Sequence, residues 1–584
     1  MMDRNKMRHL IDVAAGRSPA DLVIKNCKVV DVYGGTIIAG DIAIVDGVVA
    51  GIGDYEGRQV FDAGGRFAAP GFTDSHIHIE SSYVTPEEIG RLLVPHGATT
   101  IIADPHEIVN VCGLAGLDYM LEAARHTVLD IKFMIPSCVP ATPWEHAGAI
   151  IDAKAIESRI DNPQILGLGE FMNFPGVVAA DDAVMDKLLV AHRAGKLIDG
   201  HSPSVQGRDL NAYAATGILT DHECATLEEV KERVSKGMYV LLREGSACHN
   251  LRDLLKAVDG RNNRRFLLCS DDRQPKTVFE KGHLDEHLRM CVEEGFDPIE
   301  AIRMASLNAA ECYRLHDRGA LAPGLRADVV LLDDLADFNV AAVFIAGDLV
   351  AQDGCYLLPV ERYESEVVKG RFQVKDFSVE KLRLRLGSDR VHVIDILPGG
   401  VVTGKGVVNV KRSLQGEFLY DPQADVVKIA VVERHQNTGN VALGLLRGYG
   451  ISKGAIALSI AHDSHNIIVV GVDDGDMAFA VDALIRQGGG MLLARDGQIV
   501  EAMPMPIAGL MSDQSGEWVD KQLTKVHEAA YNQLMVSHDV DPIMTLCFMS
   551  LAVIPELKLT DMGLFDVTTF SFIPIEVPEG KLTV

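Results

Sequence analysis

The chain has 584 residues, of which 47% are hydrophobic and 23% are charged, and 82 acidic against 55 basic side chains give a formal net charge of −27. This length exceeds what one hydrophobic core can serve, so we expect two to four domains. The acidic balance disfavours nucleic acid as a partner, and the lack of any run of about 18 apolar residues disfavours a membrane span.

The first predicted elements are a helix and a small set of strands. Residues 4–15 are polar and helical in pattern, unlike the apolar core of a signal peptide. Residues 1–67 then continue with β-branched runs separated by Gly-rich turns, which predicts half of a small β-sandwich. A similar pattern in residues 321–365 predicts a return half. The two halves could pair, although the pattern alone leaves that pairing open.

Between these flanks, residues 68–320 alternate strand-like and helix-like runs. The eight strand-like runs are residues 71–75, 99–104, 131–136, 165–170, 197–201, 218–222, 238–243 and 266–271. Near-continuous apolar strands that alternate with helices are typical of a parallel sheet covered on both faces. Eight such units within about 250 residues favour a (β/α)₈ barrel over an open doubly wound sheet.

The last region starts after a polar, charge-rich linker at residues 363–377. Residues 378–584 combine short strands with a helical segment at 474–487, which predicts a C-terminal α/β domain. The predicted fold class is therefore α/β: a (β/α)₈ barrel, a split small β-sandwich from both flanks and this additional domain. Residues 399–406 superficially resemble a phosphate-binding loop. However, Lys405 is not followed by the Ser or Thr that would hold Mg²⁺, and the next run is strand-like instead of helical.

Metal-ligating residue types follow the predicted barrel strands. His76 and His78 are two residues apart on an extended chain, so both rings project to the same face. Further candidates close the fourth, fifth, sixth and eighth strands, and they are Glu170, His201, His222 and Asp271. Active sites of such barrels gather at the carboxyl ends of the strands. Four imidazoles and two carboxylates suit a pair of divalent first-row metal ions.

Each of these residues also has an ordinary structural interpretation. A single His such as His201 is more often a hydrogen-bonded core residue, and Asp271 could cap the following helix. The coincidence of six ligand-type residues at strand ends, in a regular order, favours the metal site over these alternatives.

Several motifs carry a resemblance to a known family. Residues 70–78 (PGFTDSHIH) resemble the opening motif of the amidohydrolase superfamily, and the later His201, His222 and Asp271 follow in its order. The segments that resemble the adenine deaminase family more narrowly are residues 79–82 (IESS), 104–111 (DPHEIVNV), 243–247 (REGSA), 462–466 (HDSHN) and 506–512 (PIAGLMS). The resemblance therefore covers nearly the whole chain.

The fourth strand departs from the commonest superfamily pattern. Many two-metal members bridge their ions with a carboxylated lysine there, whereas residues 167–171 (GLGEF) offer Glu170. Adenine deaminases are similar in this respect. The resemblance implies hydrolytic deamination of adenine to hypoxanthine and ammonia by a metal-activated hydroxide, with adenine and water as the small-molecule partners. It also implies two divalent transition-metal ions, with Mn²⁺ or Fe²⁺ expected more than Zn²⁺.

The chemistry of the reaction indicates roles for two of these residues. Asp271 is the candidate to take the proton of the attacking water and pass it to the leaving amine. Glu170 is the second catalytic candidate, as a bridge between the ions or as a proton source for N1 of the purine. The candidates for contact with substrate lie just past strands one, two and seven, and they are Glu80, His106, Glu107, Arg243, Glu244 and Ser246.

His462 and His465 in the last region are a separate case. They could belong to a metal or triad cluster, but in an extended chain two residues three apart face opposite sides, so a turn with hydrogen-bonding side chains is the favoured interpretation.

Two other function classes stay open at this point. One is an amidohydrolase that acts on a different amino-heterocycle or cyclic amide, and the other is a metal-free scaffold relative. A cytidine-deaminase type is excluded because no P-C-x-x-C occurs. The ten cysteines are scattered without a C-x-x-C pair, which predicts reduced thiols and a cytoplasmic location. A homodimer is the expected assembly, since it is the commonest oligomer.

Overall fold

The computed structural model describes residues 3–578, and the outermost residues of the first and last predicted regions, 1–2 and 579–584, lie outside this range. Two compact units make up the described chain. Within the described residues, unit 1 comprises residues 3–104, 120–137 and 152–363, and unit 2 comprises residues 105–119, 138–151 and 364–578. Two segments of the predicted barrel region, Pro105–Tyr119 and Cys138–Ile151, thus belong to unit 2.

The strands of unit 1 are β1 (Ala20–Asp31), β2 (Thr36–Val45), β3 (Val48–Gly53), β4 (Gly57–Asp62), β5 (Phe67–Pro70), β6 (Phe72–His78), β7 (Ala98–Ala103), β8 (Asp130–Ile135), β9 (Ile165–Phe171), β10 (Leu197–Gly200), β11 (Thr220–Asp221), β12 (Tyr239–Arg243), β13 (Phe266–Cys269), β14 (Asp271–Asp272), β15 (Val329–Leu332), β16 (Val340–Ile345), β17 (Asp348–Gln352) and β18 (Cys355–Tyr356).

The helices of the chain are α1 (Arg4–Ala14), α2 (Pro86–Leu93), α3 (His106–Cys112), α4 (Leu114–Ala123), α5 (Ala153–Glu157), α6 (Phe174–Val178), α7 (Asp182–Ala194), α8 (Gly207–Ala215), α9 (Leu227–Ser235), α10 (Leu251–Leu255), α11 (Pro275–Lys281), α12 (Leu284–Glu293), α13 (Pro298–Met304), α14 (Leu307–Cys312), α15 (Asp474–Gln487), α16 (Gly516–Asn532) and α17 (Met544–Cys547).

The strands of unit 2 are β19 (Arg390–Ile396), β20 (Thr403–Asn409), β21 (Lys411–Arg412), β22 (Phe418–Leu419), β23 (Val426–Val432), β24 (Val441–Arg447), β25 (Ala455–Leu458), β26 (Ile467–Gly471), β27 (Gly490–Arg495), β28 (Gln498–Pro504), β29 (Leu557–Thr560), β30 (Gly563–Asp566) and β31 (Ser571–Phe572).

The two flanks of unit 1 form one nine-stranded sheet. Its path is β18-β17-β16-β15-β5-β1-β2-β3, with β4 paired to β1. The flanks meet where β15 pairs antiparallel with β5, with Val330 opposite Ala69. One face of this sheet buries a hydrophobic cluster that includes Ile24, Val329 and Phe344. The pairing that the sequence left open is therefore made by direct strand contact.

Parallel strands position the candidate site. One sheet has the order β10-β9-β8-β7-β6-β14 and a second has the order β11-β12-β13, and every pairing in both is parallel. β6 is buried along its whole length, as expected for a strand covered on both faces. All eight strand-like runs of the sequence contain a strand. The mixed α/β content with parallel sheets that the sequence predicted is confirmed.

Unit 2 contains an eight-stranded sheet of order β20-β19-β24-β23-β26-β25-β27-β28, antiparallel except between β19 and β24. The helix α15 has the bounds expected from the sequence. Asp473 caps its first turn by accepting from the amides of Gly475 and Asp476, and Gly488 ends it at φ 89, a left-handed conformation that glycine adopts without strain. The apolar face of α15 covers the sheet through residues such as Val481.

Among the described residues, no helix is both long enough and apolar enough to cross a membrane.

Candidate active site

Six predicted ligand residues lie at the ends of the parallel strands of unit 1. His76 and His78 close β6, and Glu170 is the penultimate residue of β9. The remaining three come directly after or at the start of short strands, and they are His201, His222 and Asp271. Because parallel strands present their carboxyl ends at one edge, their side chains can converge there. Only His201 is not fully buried.

Glu170 contacts histidines through both of its carboxylate oxygens. Its Oε1 lies 3.4 Å from His78 Nε2. Its Oε2 lies 2.7 Å from His201 Nδ1 and 3.2 Å from His222 Nε2. The carboxylate therefore stands between one histidine of the first strand and two histidines from other strands.

Asp271 completes the other side of the cluster. Its Oδ1 lies 3.1 Å from His78 Nε2 and 3.5 Å from His76 Nε2. The two Nε2 atoms of His76 and His78 are themselves 3.2 Å apart, and the ring of His76 stacks on that of His222 at 4.1 Å. Four imidazoles and two carboxylates thus aim nitrogen and oxygen donors at one small volume, which fits divalent transition-metal ions.

The electrostatics of the cluster favour added positive charge. Burial alone would lower the pKa of His222, but its contacts with Glu170 raise that pKa to about 9. Burial would raise the pKa of Asp271, but the Arg243 guanidinium and the neighbouring histidines hold it well below its usual range. Asp271 is therefore ionised, and the carboxylates around His222 favour a positive charge at that point of the cluster.

Neighbouring groups fix the orientation of these donors. The backbone carbonyl of Asp104 lies 2.9 Å from His78 Nδ1, which leaves Nε2 of that ring facing the cluster. The side chain of Asp104 accepts from the Glu170 amide at 2.9 Å. The Tyr213 hydroxyl accepts from the His201 amide at 2.9 Å and donates to the carbonyl of Phe171.

Glu223 is a site residue that the sequence analysis missed. Its Oε1 lies 3.4 Å from His222 Nε2, and it also accepts from the guanidinium of Arg243. Arg243 Nη1 in turn donates to Asp271 Oδ2 at 2.7 Å. The guanidinium therefore links two carboxylates of the cluster. The signal was present in the sequence, since Glu223 directly follows the strand-end His222.

Three other candidates for contact with substrate lie in unit 1. Glu80 is buried in the 3₁₀ turn directly after β6. Glu244 Oε1 lies 2.6 Å from His249 Nδ1, and the Ser246 hydroxyl lies 2.8 Å from that of Thr277. Glu244 thus has its partner within the loop that follows β12, whereas Ser246 of the same loop contacts α11.

The remaining two candidates, His106 and Glu107, belong to unit 2. They begin α3, and Glu107 lies against His462, with 3.1 Å between Oε1 and Nδ1. The segment that carries His462 is a turn, as the favoured interpretation of the sequence required, and within it the two histidines come together instead of facing opposite sides.

Comparison with known proteins agrees with this site. The model of the amidohydrolase family matches residues 67–350, and that of the adenine deaminase C-terminal domain matches residues 400–571. Adenine deaminase 2 of Desulfotalea psychrophila is 65% identical over 98% of this chain and the whole of that protein. The chain belongs to the adenine deaminase family. Adenine deaminase of Ligilactobacillus salivarius is 52% identical over 99% of this chain and all of its own length.

Membership in the adenine deaminase family confirms the resemblance that the sequence motifs carried. The matches to these relatives cover unit 2 as well as unit 1. The metal-free scaffold alternative loses its support, since the donors are all present and converge on one volume.

Proposed function

We propose that this chain catalyses the hydrolytic deamination of adenine, which gives hypoxanthine and ammonia. The observation that carries the proposal is the position of Glu170, whose two oxygens contact histidines from separate strands and so suit a bridge between two ions. Relatives that match the full length and bear the name adenine deaminase supply the substrate.

The ligands of the proposed centre are His76, His78, Glu170, His201, His222 and Asp271. Two divalent ions bound there would lower the pKa of water from 15.7 toward neutrality and so make a nucleophile available near pH 7. Both oxygens of Glu170 face histidines, so we assign it to the bridge and not to protonation of N1.

Asp271 is the proposed acid–base residue. Arg243 occupies its Oδ2, so Oδ1 is the atom that accepts the proton of the attacking water. Its lowered pKa keeps the carboxylate ionised at neutral pH, and once protonated it is a strong acid that readily passes the proton to the leaving amine. Arg243 acts through Asp271 and Glu223, and we infer that it positions both carboxylates.

The same proposal includes the closed barrel. The Leu219 amide donates to the carbonyl of Ile198 at 2.9 Å, which joins the two parallel sheets at one end. At the other end the chain itself joins them, since β13 of the second sheet is followed after one residue by β14, which pairs with β6 of the first. These contacts support one closed (β/α)₈ barrel of the eight strand-like runs. The choice of Mn²⁺ or Fe²⁺ over Zn²⁺, the homodimer and the cytoplasmic location stay predictions.

The direct test is release of ammonia from adenine by the purified protein with added Mn²⁺, beside a chelated sample. We expect activity that depends on the metal and is much lower with guanine or cytosine. Glu170→Gln should lower both the bound metal and the activity. Equal activity on another amino-heterocycle, or full activity after chelation, would refute the assignment.

A further inference from the structure

A second cluster of metal-ligating side chains lies within unit 2. Glu107 stands in the first turn of α3, and His462 and His465 stand on the turn between β25 and β26. All three are buried, with exposed fractions of 2%, 8% and 0%. None of them belongs to the ligand set proposed for unit 1.

The donor atoms of this cluster are close together. His462 Nδ1 lies 3.1 Å from Glu107 Oε1, and the two histidine rings meet edge to face with 5.4 Å between their centroids. One donor atom from each of the three residues lies within 4.8 Å of the others. Three donors at such separations can reach a common ion, since zinc binds its ligands at about 2.0–2.2 Å.

His465 has a buried nitrogen that the protein leaves unused. Its Nε2 is shielded from solvent and has no hydrogen-bond partner among the described residues, while its Nδ1 receives only a long contact, 3.3 Å, from the Ala461 amide. A buried polar atom without a partner costs free energy, so native proteins rarely keep one without a reason. A divalent ion bound at Nδ1 would replace the amide contact, and one bound at Nε2 would replace the ring proton.

Asp463 and Glu145 add two carboxyl groups beside the cluster. Asp463 Oδ1 lies 3.9 Å from His462 Nδ1, so a second carboxylate joins that of Glu107. Burial and the nearby Asp463 raise the pKa of Glu145 to about 8. Burial also keeps the pKa of His465 well below its usual range, so that ring is neutral and suited to ligation. A bound cation would offset the crowded carboxylates.

The turn that carries the two histidines is held rigidly. The buried Arg434 guanidinium donates to the carbonyl of His465, and the Ser464 carbonyl lies 2.7 Å from His435 Nε2. The amide of Arg434 donates to Asn466 Oδ1 at 3.1 Å. Ligands held by such surrounding contacts lose little conformational freedom when an ion binds.

We propose that Glu107, His462 and His465 form a metal site of unit 2 that binds one divalent transition-metal ion. Two imidazoles and one carboxylate are a set that zinc takes in proteins, so Zn²⁺ is the ion we assign to it. The simpler alternative, an ion pair between Glu107 and His462, accounts for their 3.1 Å contact. It leaves the unpartnered Nε2 of His465 unexplained.

The first test uses the unaltered protein. Crystals of the full chain grown with Zn²⁺ are measured on both sides of the zinc absorption edge. We expect an anomalous peak within about 2.0–2.2 Å of a nitrogen of His462 and of His465. Absence of that peak at saturating Zn²⁺ overturns the proposal, whatever the state of the site in unit 1.

The second test counts metal. After loading with Zn²⁺ and gel filtration, the double variant His462→Gln, His465→Gln should hold about one ion per chain less than the parent. The matched control is His538→Gln, which replaces an exposed histidine of the same unit and should leave the count unchanged. A folded double variant with the parent's metal content would contradict the site. If the double variant does not fold, the diffraction experiment decides alone.

Discussion

Arg243 of unit 1 and two buried cations of unit 2, Arg434 and Lys558, differ in the groups that surround them. In unit 1 the guanidinium of Arg243 lies between two carboxylates, Glu223 and Asp271, and its pKa is raised well above its usual range because these charges outweigh the cost of burial. In unit 2, within the described residues 3–578, buried Arg434 and Lys558 have no carboxylate within ion-pair distance and donate to backbone carbonyls instead.

The difference separates two uses of a buried charge. A cation between carboxylates keeps both partners ionised and can tune a reacting group. A cation among carbonyls instead connects segments of the chain, although its charge is buried. Burial lowers the pKa of Lys558 to about 7. Arg434 donates to the carbonyls of Arg371, Ser459 and Ala508, which lie in three segments distant in the sequence. We therefore expect substitution of Arg243 to affect turnover, and substitution of Arg434 or Lys558 to affect stability.

The largest expected effect is on Asp271. Asp271→Asn should lower the rate of ammonia release by ~10²–10⁴, the usual loss when an acid–base group is removed. The fold and much of the metal should be retained, which circular dichroism and metal analysis will check. Asp253→Asn, at an exposed carboxylate paired with Lys256, serves as the control. Turnover near that of the parent would eliminate Asp271 as the proton carrier.

Arg434→Met should destabilise unit 2. The substitution leaves the carbonyls of Arg371, Ala508 and His465 without their donor, and each unpaired buried group costs about 1–3 kcal/mol. Removal of a buried charge offsets part of this, so we expect a loss of roughly 2–4 kcal/mol by urea denaturation. A midpoint equal to or above that of the parent would mean that the burial of the charge outweighs its hydrogen bonds.

Arg243→Met should affect the reaction more than the fold. Loss of a charged hydrogen bond of about 1.5–3 kcal/mol should lower kcat/KM by roughly 10–100-fold. Without the guanidinium, the pKa values of Asp271 and Glu223 rise, so the acid limb of the pH–rate profile should move to higher pH. Arg252→Met removes a surface guanidinium and should change neither. An unshifted acid limb would contradict the positioning role.

The smallest expected effect is a pH-dependent one at Lys558. Its folded-state pKa lies near 7 while the unfolded value is 10.5, so in that window the unfolded chain binds the extra proton and stability rises with pH. Relative to Lys558→Met, the parent should gain about 2 kcal/mol between pH 7 and pH 9. Denaturation curves at both pH values measure the difference. Parallel behaviour of the two proteins would show that Lys558 keeps an ordinary pKa.

Much of the site in unit 1 could be predicted because of strand regularity. A buried parallel strand is a largely apolar run whose carboxyl end can be placed within a few residues, and His201 and His222 were located at such ends without a structure. Glu223 was missed because the sequence pattern does not predict which way a side chain points once the strand has ended.

The cluster of unit 2 could not be predicted in the same way. Its histidines lie on an irregular turn, where the alternation of an extended chain does not apply, and Glu107 comes from more than 350 residues earlier in the sequence. The sequence favoured a turn with hydrogen-bonding side chains, which the structure has, but it did not place the two histidine rings against each other.

The sequence by itself determined the order and type of the elements and the family, because hydrophobic periodicity and long motifs are local properties of the chain. Only the tertiary structure decided which oxygen of Glu170 meets which histidine, that Arg243 pairs with Glu223 and Asp271, and that Glu107 meets His462. Such contacts join residues from separate strands and turns. Their distances depend on how the whole unit packs, and no local pattern records that.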